Sequence, residues 1–322
     1  MRQEGRYLVK ISFDNIGEKL VRTCQSPLTE LKIENIDVGA VMFTSVWYQL
    51  IAVYNLIREP RTLDRLLFSQ KVVLEINTVL WKCYCSIIGS KLASKSLYGE
   101  SPDQQDLDMA QELLLWGSSS DVASGKLKLA AFYLALDNLV LAEDVLNETH
   151  ANYTSQILCL FEMSTEDIEA RLNENLTISE IISDCVAFPL VYEPSEMNCI
   201  PKALIPEMFR TAGLDQVDPD KSYLKNLASV NPKVYLHLLE FTYHYRQNKK
   251  TSHKNVSLDN LIYIIKRDVL DFKDTALNLL AYCMRQEGKL MNAYNILCKS
   301  MKLKKPRNAD KWQIATLINA AF

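Results

Sequence analysis

Two stretches decide how this chain is read. The first is Leu129-Ala130-Ala131-Phe132-Tyr133, followed by Leu139-Val140-Leu141-Ala142-Glu143-Asp144-Val145-Leu146. The second is Leu280-Ala281-Tyr282-Cys283-Met284, followed by Leu290-Met291-Asn292-Ala293-Tyr294-Asn295-Ile296-Leu297. They share a pattern of leucines and alanines at a constant offset of 151 residues. Each spells a helix–turn–helix in residue sizes. A small residue on the first helix (Ala130, Ala281) lets the second approach, and a small residue on the second (Ala142, Ala293) meets it. Between them, Val234–Arg246 and Leu258–Arg267 keep aromatic seam residues (Tyr235, Phe241, Tyr245) without the small ones.

Outward from these pairs the chain continues to read as helix. The expected spans are 36–57, 62–93, 101–117, from 122 onward, 139–148, 151–162, 165–173, 177–187, 233–247, 257–270, 273–287, 290–303 and 308–320. The loop Ser118-Ser119-Ser120-Asp121 supplies N-cap chemistry for the segment from Val122. Glycine (9) and proline (10) are scarce in 322 residues, which favours helices on short connections over glycine-demanding strand folds. Six of the prolines fall between 189 and 232, marking a bent connector with a short helix near 202–211. The expected organisation is an N-terminal helical region (1–100), helical repeat region I (101–188), the proline-rich connector (189–232) and repeat region II (233–322). The expected fold class is all-α, with antiparallel helix pairs stacked as a superhelical repeat array.

The paired stretches resemble a tetratricopeptide repeat. Leu280-Ala281 stands at its Leu-Gly pair, Ala293 at its central alanine and Pro306 within one position of its closing proline. Leu277, Met284 and Ser300 depart from that pattern, and Asp137 stands where the second copy has Gly288. A wider resemblance, over roughly 104–322, rests on Asp121–Ala130, Cys199–Met208 and Asp274–Cys283. These runs look like the helical-repeat region that follows the nucleotidyltransferase-fold domain in invertebrate male-abnormal family proteins, relatives of cyclic GMP–AMP synthase. That resemblance covers no catalytic motif, so the family's activity is not carried over.

The tetratricopeptide resemblance implies a groove. Thr275, Asn278, Tyr282 and Arg285 would line the concave face of the second unit, with Ser124, Leu127, Ala131 and Leu134 at matching places in the first. Such a surface suits an extended or helical peptide, so the expected function is a non-catalytic protein-interaction module or scaffold. The bland alternative is that the chain's own helices cover these positions. A second functional reading is the non-catalytic remainder of a nucleic-acid sensor, touching phosphate through Lys299, Lys302, Lys304, Lys305, Arg307 and Lys311. Cations at a helix C-terminus would serve the same pattern without a ligand.

Catalytic constellations are thin. No Gly-x-Gly, Gly-x-x-x-x-Gly-Lys or Gly-x-Ser-x-Gly occurs. Ile88-Gly89-Ser90 precedes Asp106-Leu107-Asp108, in the order a nucleotidyltransferase uses, but the acids read as helical, and residues two apart on a helix diverge. His237, Glu240 and His244 share one helix face, yet ordinary side-chain pairing accounts for them, so no metal or cofactor is expected. The net charge of −3 divides into +3 over 1–100, −17 over 101–220 and +11 over 221–322. Either drift of solvated faces or attraction of the acidic middle and basic end, within the molecule, between copies or toward partners of opposite sign, fits that division. Eight cysteines without a Cys-x-x-Cys pair, and no apolar signal core after Met1, favour a cytoplasmic protein with reduced thiols. The uncharged run Val38–Ile57 contains Thr44, Ser45, Gln49 and Asn55 and reads as a buried helix rather than a membrane span.

Overall fold

Nothing larger than glycine fits at Gly125: an added Cβ would lie 2.1 Å from the carbonyl oxygen of Gly117. That contact joins helix α2 (Gln104–Gly117) to helix α3 (Ser124–Ala135). The computed structural model describes residues 70–98, 102–154, 157–159, 178–210, 227–247, 251–267, 270, 272–303 and 309–321. Helix α1 (Gln70–Ser96) runs antiparallel to α2. Gly89 meets Ala110 and Leu114, while Gly117 meets the backbone of Lys82 and Ser86. Asp103 caps α2 by accepting from the amides of Gln105 and Asp106.

The two pairs singled out by their alanines form as expected. Helix α3 is followed by α4 (Leu139–Asn152), and α9 (Lys273–Gln286) by α10 (Leu290–Met301). Ala130, Ala142, Ala281 and Ala293 are all buried. Both turns close alike. Asn138 N–H donates to Tyr133 O and Asp137 N–H to Leu134 O; Lys289 N–H donates to Met284 O and Gly288 N–H to Arg285 O. This is the Schellman pattern, with its left-handed residue at Asp137 (φ 57°) and Gly288 (φ 71°). Contacts across each pair show the antiparallel run. Lys126 pairs with Glu148 at 2.7 Å, and Ser300 Oγ donates to the carbonyl of Asp274 at 3.3 Å.

Between the pairs lie α5 (Ile178–Cys185), α6 (Ile205–Met208), α7 (Pro232–Arg246) and α8 (Thr251–Arg267), and α11 (Asp310–Ala321) follows α10. The described residues are thus mostly helical, with two small sheets that the weak alternation of the sequence did not announce. β1 (Leu158–Cys159) pairs parallel with β2 (Val186–Ala187), where helix was expected over 151–162 and 177–187. β3 (Leu190–Tyr192) pairs antiparallel with β4 (Ala228–Val230), Leu190 opposite Val230. Strands of two or three residues are too short for a period to declare itself. The expected helices 36–57 and 165–173 and the run Val38–Ile57 lie outside the described residues.

The proline-rich stretch does not separate two cores. Leu190, Tyr192, Ile200, Leu204 and Met208 join the same apolar cluster as α1, α3, α7 and α9. Its 3₁₀ turn (Pro194–Cys199) is tied down by buried ion pairs, Lys128–Glu196 at 2.8 Å and Lys91–Glu193 at 2.6 Å. Lys128 also lies 4.4 Å from the centre of the Tyr192 ring, whose hydroxyl donates to Tyr235 Oη at 3.1 Å. Each buried charge here has a partner of opposite sign, the condition under which such groups tolerate burial.

Candidate functional site

The expected groove is largely filled from within. Thr275 and Asn278 are fully buried. Asn278 Nδ2 donates to Glu207 Oε1 at 2.8 Å, Thr275 Oγ1 to Glu207 Oε2 at 3.4 Å, and Arg210 bonds both Glu207 and Thr275. Burial pushes the Glu207 carboxyl above the ordinary range, while Arg210 and Asn278 pull it back. The correction has a physical reason. Hydrogen-bonding side chains on an inner helix face need partners, and the connector supplies them through α6. Leu127, Ala131 and Leu134 are buried as well, and the carbonyl of Leu134 accepts from Arg246 of α7. Ser124 is buried too, so of the eight groove positions only Tyr282 and Arg285 keep partial exposure.

Those two form a rim. The Arg285 guanidinium lies 5.4 Å from the centre of the Tyr282 ring, and burial raises the Tyr282 hydroxyl above the ordinary tyrosine range. Exposed Tyr245 and Arg246 at the end of α7 adjoin it, with Lys254 of α8 lying 5.4 Å from the Tyr245 ring centre. Lys254 reaches Glu287 at 3.7 Å and Arg246 reaches Asp137 at 3.8 Å. Arg285 makes no ion pair among the described residues; the Tyr282 ring is what it touches.

The histidine constellation assembles with one change of member. His237 Nδ1 lies 2.7 Å from Glu240 Oε2, as the three-residue spacing suggests. The second imidazole is His150, from the last turn of α4, with Nδ1 2.6 Å from Glu240 Oε1. His244 turns instead toward Tyr243 and toward His253 of α8, whose ring centre is 5.5 Å away. Burial would raise the Glu240 carboxyl, but hydrogen bonds and charge from His237 and His150 bring it below the ordinary value. Nothing in the sequence links His150 to a helix 90 residues later; only the packing of α4 on α7 does.

The remaining candidates carry less. Gly89 and Ser90 lie inside α1, with Ser90 Oγ 3.3 Å from Cys199 Sγ, not on a phosphate-binding loop. Asp108 is exposed and accepts from Gln104 at 2.7 Å. Among the described cysteines all are free and Cys298 alone is more than slightly exposed; burial raises Cys83, Cys199 and Cys283, so these three are not primed as thiolates. A cleft lined by Cys83, Ser86, Ser124 and Lys128 offers little chemistry, because Glu196 holds its lysine. Of the basic cluster, Lys299 and Lys302 are exposed at the end of α10. Lys304, Lys305, Arg307 and the side chain of Lys311 lie outside what is described. No helix among the described residues is long and apolar enough to cross a membrane. In comparisons with known proteins, no family model, curated protein or solved structure matches the chain.

Proposed function

We propose that the chain is a non-catalytic helical-repeat module, its pairs stacked in tetratricopeptide-like fashion, which holds an acidic peptide segment of a protein partner. The binding surface is the rim formed by Tyr282 and Arg285 on α9 and by Tyr245 and Arg246 on α7. The observation that carries this reading is the Arg285 guanidinium, half-buried on a tyrosine face and without a carboxylate partner among the described residues. A cation so placed is only partly desolvated and already oriented, which strengthens a charge-assisted bond to an incoming carboxylate. Flanking aromatic rings add rigid apolar area at low entropic cost.

Peptide display against the full chain tests this. Enriched peptides should carry aspartate or glutamate beside an aromatic or aliphatic residue, and Arg285→Glu should weaken them by about tenfold or more, as loss of a charge-assisted bond costs roughly 1.5–3 kcal/mol. Enriched peptides without acids, or peptides that bind the variant as tightly, would sink the proposal.

A further inference from the structure

We propose that His150, His237 and Glu240 form a binding site for a divalent first-row transition ion of the Zn²⁺ class, which staples the end of α4 to α7. One nitrogen from each imidazole and one carboxylate oxygen already lie within 4.8 Å of one another. Zinc held by such ligands at about 2.0–2.2 Å separates them by roughly 3.3 Å, so the cluster must draw in by about an ångström or more. The side chain that can move is His150, which is 56% exposed, whereas His237 (8%) and Glu240 (15%) are held in the packed face of α7.

The donor set chooses the class of ion. Two imidazoles and one carboxylate suit Zn²⁺, Co²⁺, Ni²⁺ or Cu²⁺; Ca²⁺ and Mg²⁺ prefer all-oxygen shells. In the metal-free form each Nδ1 faces a different oxygen of the same carboxylate. An incoming ion takes the lone pair of one nitrogen of each neutral imidazole; where that nitrogen carried the hydrogen shared with Glu240, the hydrogen moves to the ring's other nitrogen, and a ring bearing both hydrogens releases one proton to solvent. Three protein ligands leave one tetrahedral position for water on the exposed side of His150. The site lies on the α4–α7 seam, apart from the Tyr282–Arg285 rim, and does not depend on the peptide-binding reading.

The experiment is a calorimetric titration of Zn²⁺ into the full chain after EDTA treatment and dialysis, repeated with Co²⁺ under visible absorption. The expected result is one ion per chain and the intense ligand-field bands of a low-coordinate N/O site. His150→Ala and Glu240→Gln should each weaken that binding by at least about tenfold, since even loss of an outer partner of a metal ligand costs 10–100-fold. His150 is exposed, so its variant should retain the fold, checked by circular dichroism and thermal unfolding, and Zn²⁺ should raise the melting temperature of the wild type but not of this variant. His244→Ala and Cys298→Ser should bind as the wild type does. The proposal is overturned if the wild type takes up no ion, if His150→Ala and Glu240→Gln keep wild-type affinity, or if His244→Ala or Cys298→Ser removes the site.

Discussion

The pairs α3–α4 and α9–α10 share an alanine seam and a Schellman turn, yet their inner helices solve opposite problems. In α3 the inward positions Leu127, Ala131 and Leu134 are apolar and need only packing, and Ser124, the counterpart of Thr275, finds its partner locally in Asp121 at 2.7 Å. The corresponding positions of α9 begin with Asn278, one turn after Thr275, and both are sealed from water. Polar groups there would each cost on the order of 1–3 kcal/mol if left unpaired. Glu207 and Arg210 meet that requirement, so the second pair depends on the connector for its hydrogen bonds, whereas the first receives from it mainly a lid and one lysine–glutamate pair. A shared helix–turn–helix thus says little about what will cover it; the polarity of the covered face decides that.

The sharpest way to break the contrast is Glu207→Ala. It removes the carboxylate to which Asn278 Nδ2 donates and leaves Arg210 with Thr275 Oγ1 and with Asp274, 3.8 Å away. A loss of about 3–5 kcal/mol is expected in urea unfolding, as for other broken buried ion pairs. A loss below about 1 kcal/mol would mean that the network contributes little.

Next comes Gly125→Ala, set against its counterpart Ala276→Gly. The new Cβ at 125 would fall 2.1 Å from the Gly117 carbonyl, and backbone cannot yield cheaply. Forcing α2 and α3 apart should cost about 3 kcal/mol, whereas Ala276→Gly should cost about 1 kcal/mol, the ordinary helical penalty for glycine. Equal melting temperatures for the two variants would refute this difference between the pairs.

The smallest effect compares the two turns. Gly288 sits at φ 71° with nothing within 4 Å of an added Cβ, so Gly288→Ala meets no obstacle except the left-handed backbone. It should lose about 1 kcal/mol. Asp137→Gly should gain up to about 1 kcal/mol, because its ion pair with Arg246 is largely exposed and worth little. Thermal unfolding of both variants reads the sign directly.

The alanine pattern was legible in the sequence because local sterics impose it: a helix seam admits only small residues. Helices 233–247, 273–287 and 290–303 were read to within two residues at each end for the same reason. His150 beside Glu240, Glu207 beneath Asn278 and the strands at 190–192 and 228–230 carried no such mark. Each joins residues tens of positions apart, and such a partnership leaves no period in either segment. The sequence by itself therefore determined the helices of the two alanine-marked pairs and their pairing, both governed by neighbours within a few residues. Tertiary packing alone decided which polar faces were buried, which carboxylate answered them and which imidazoles met, because those outcomes follow from burial and charge across long sequence separations.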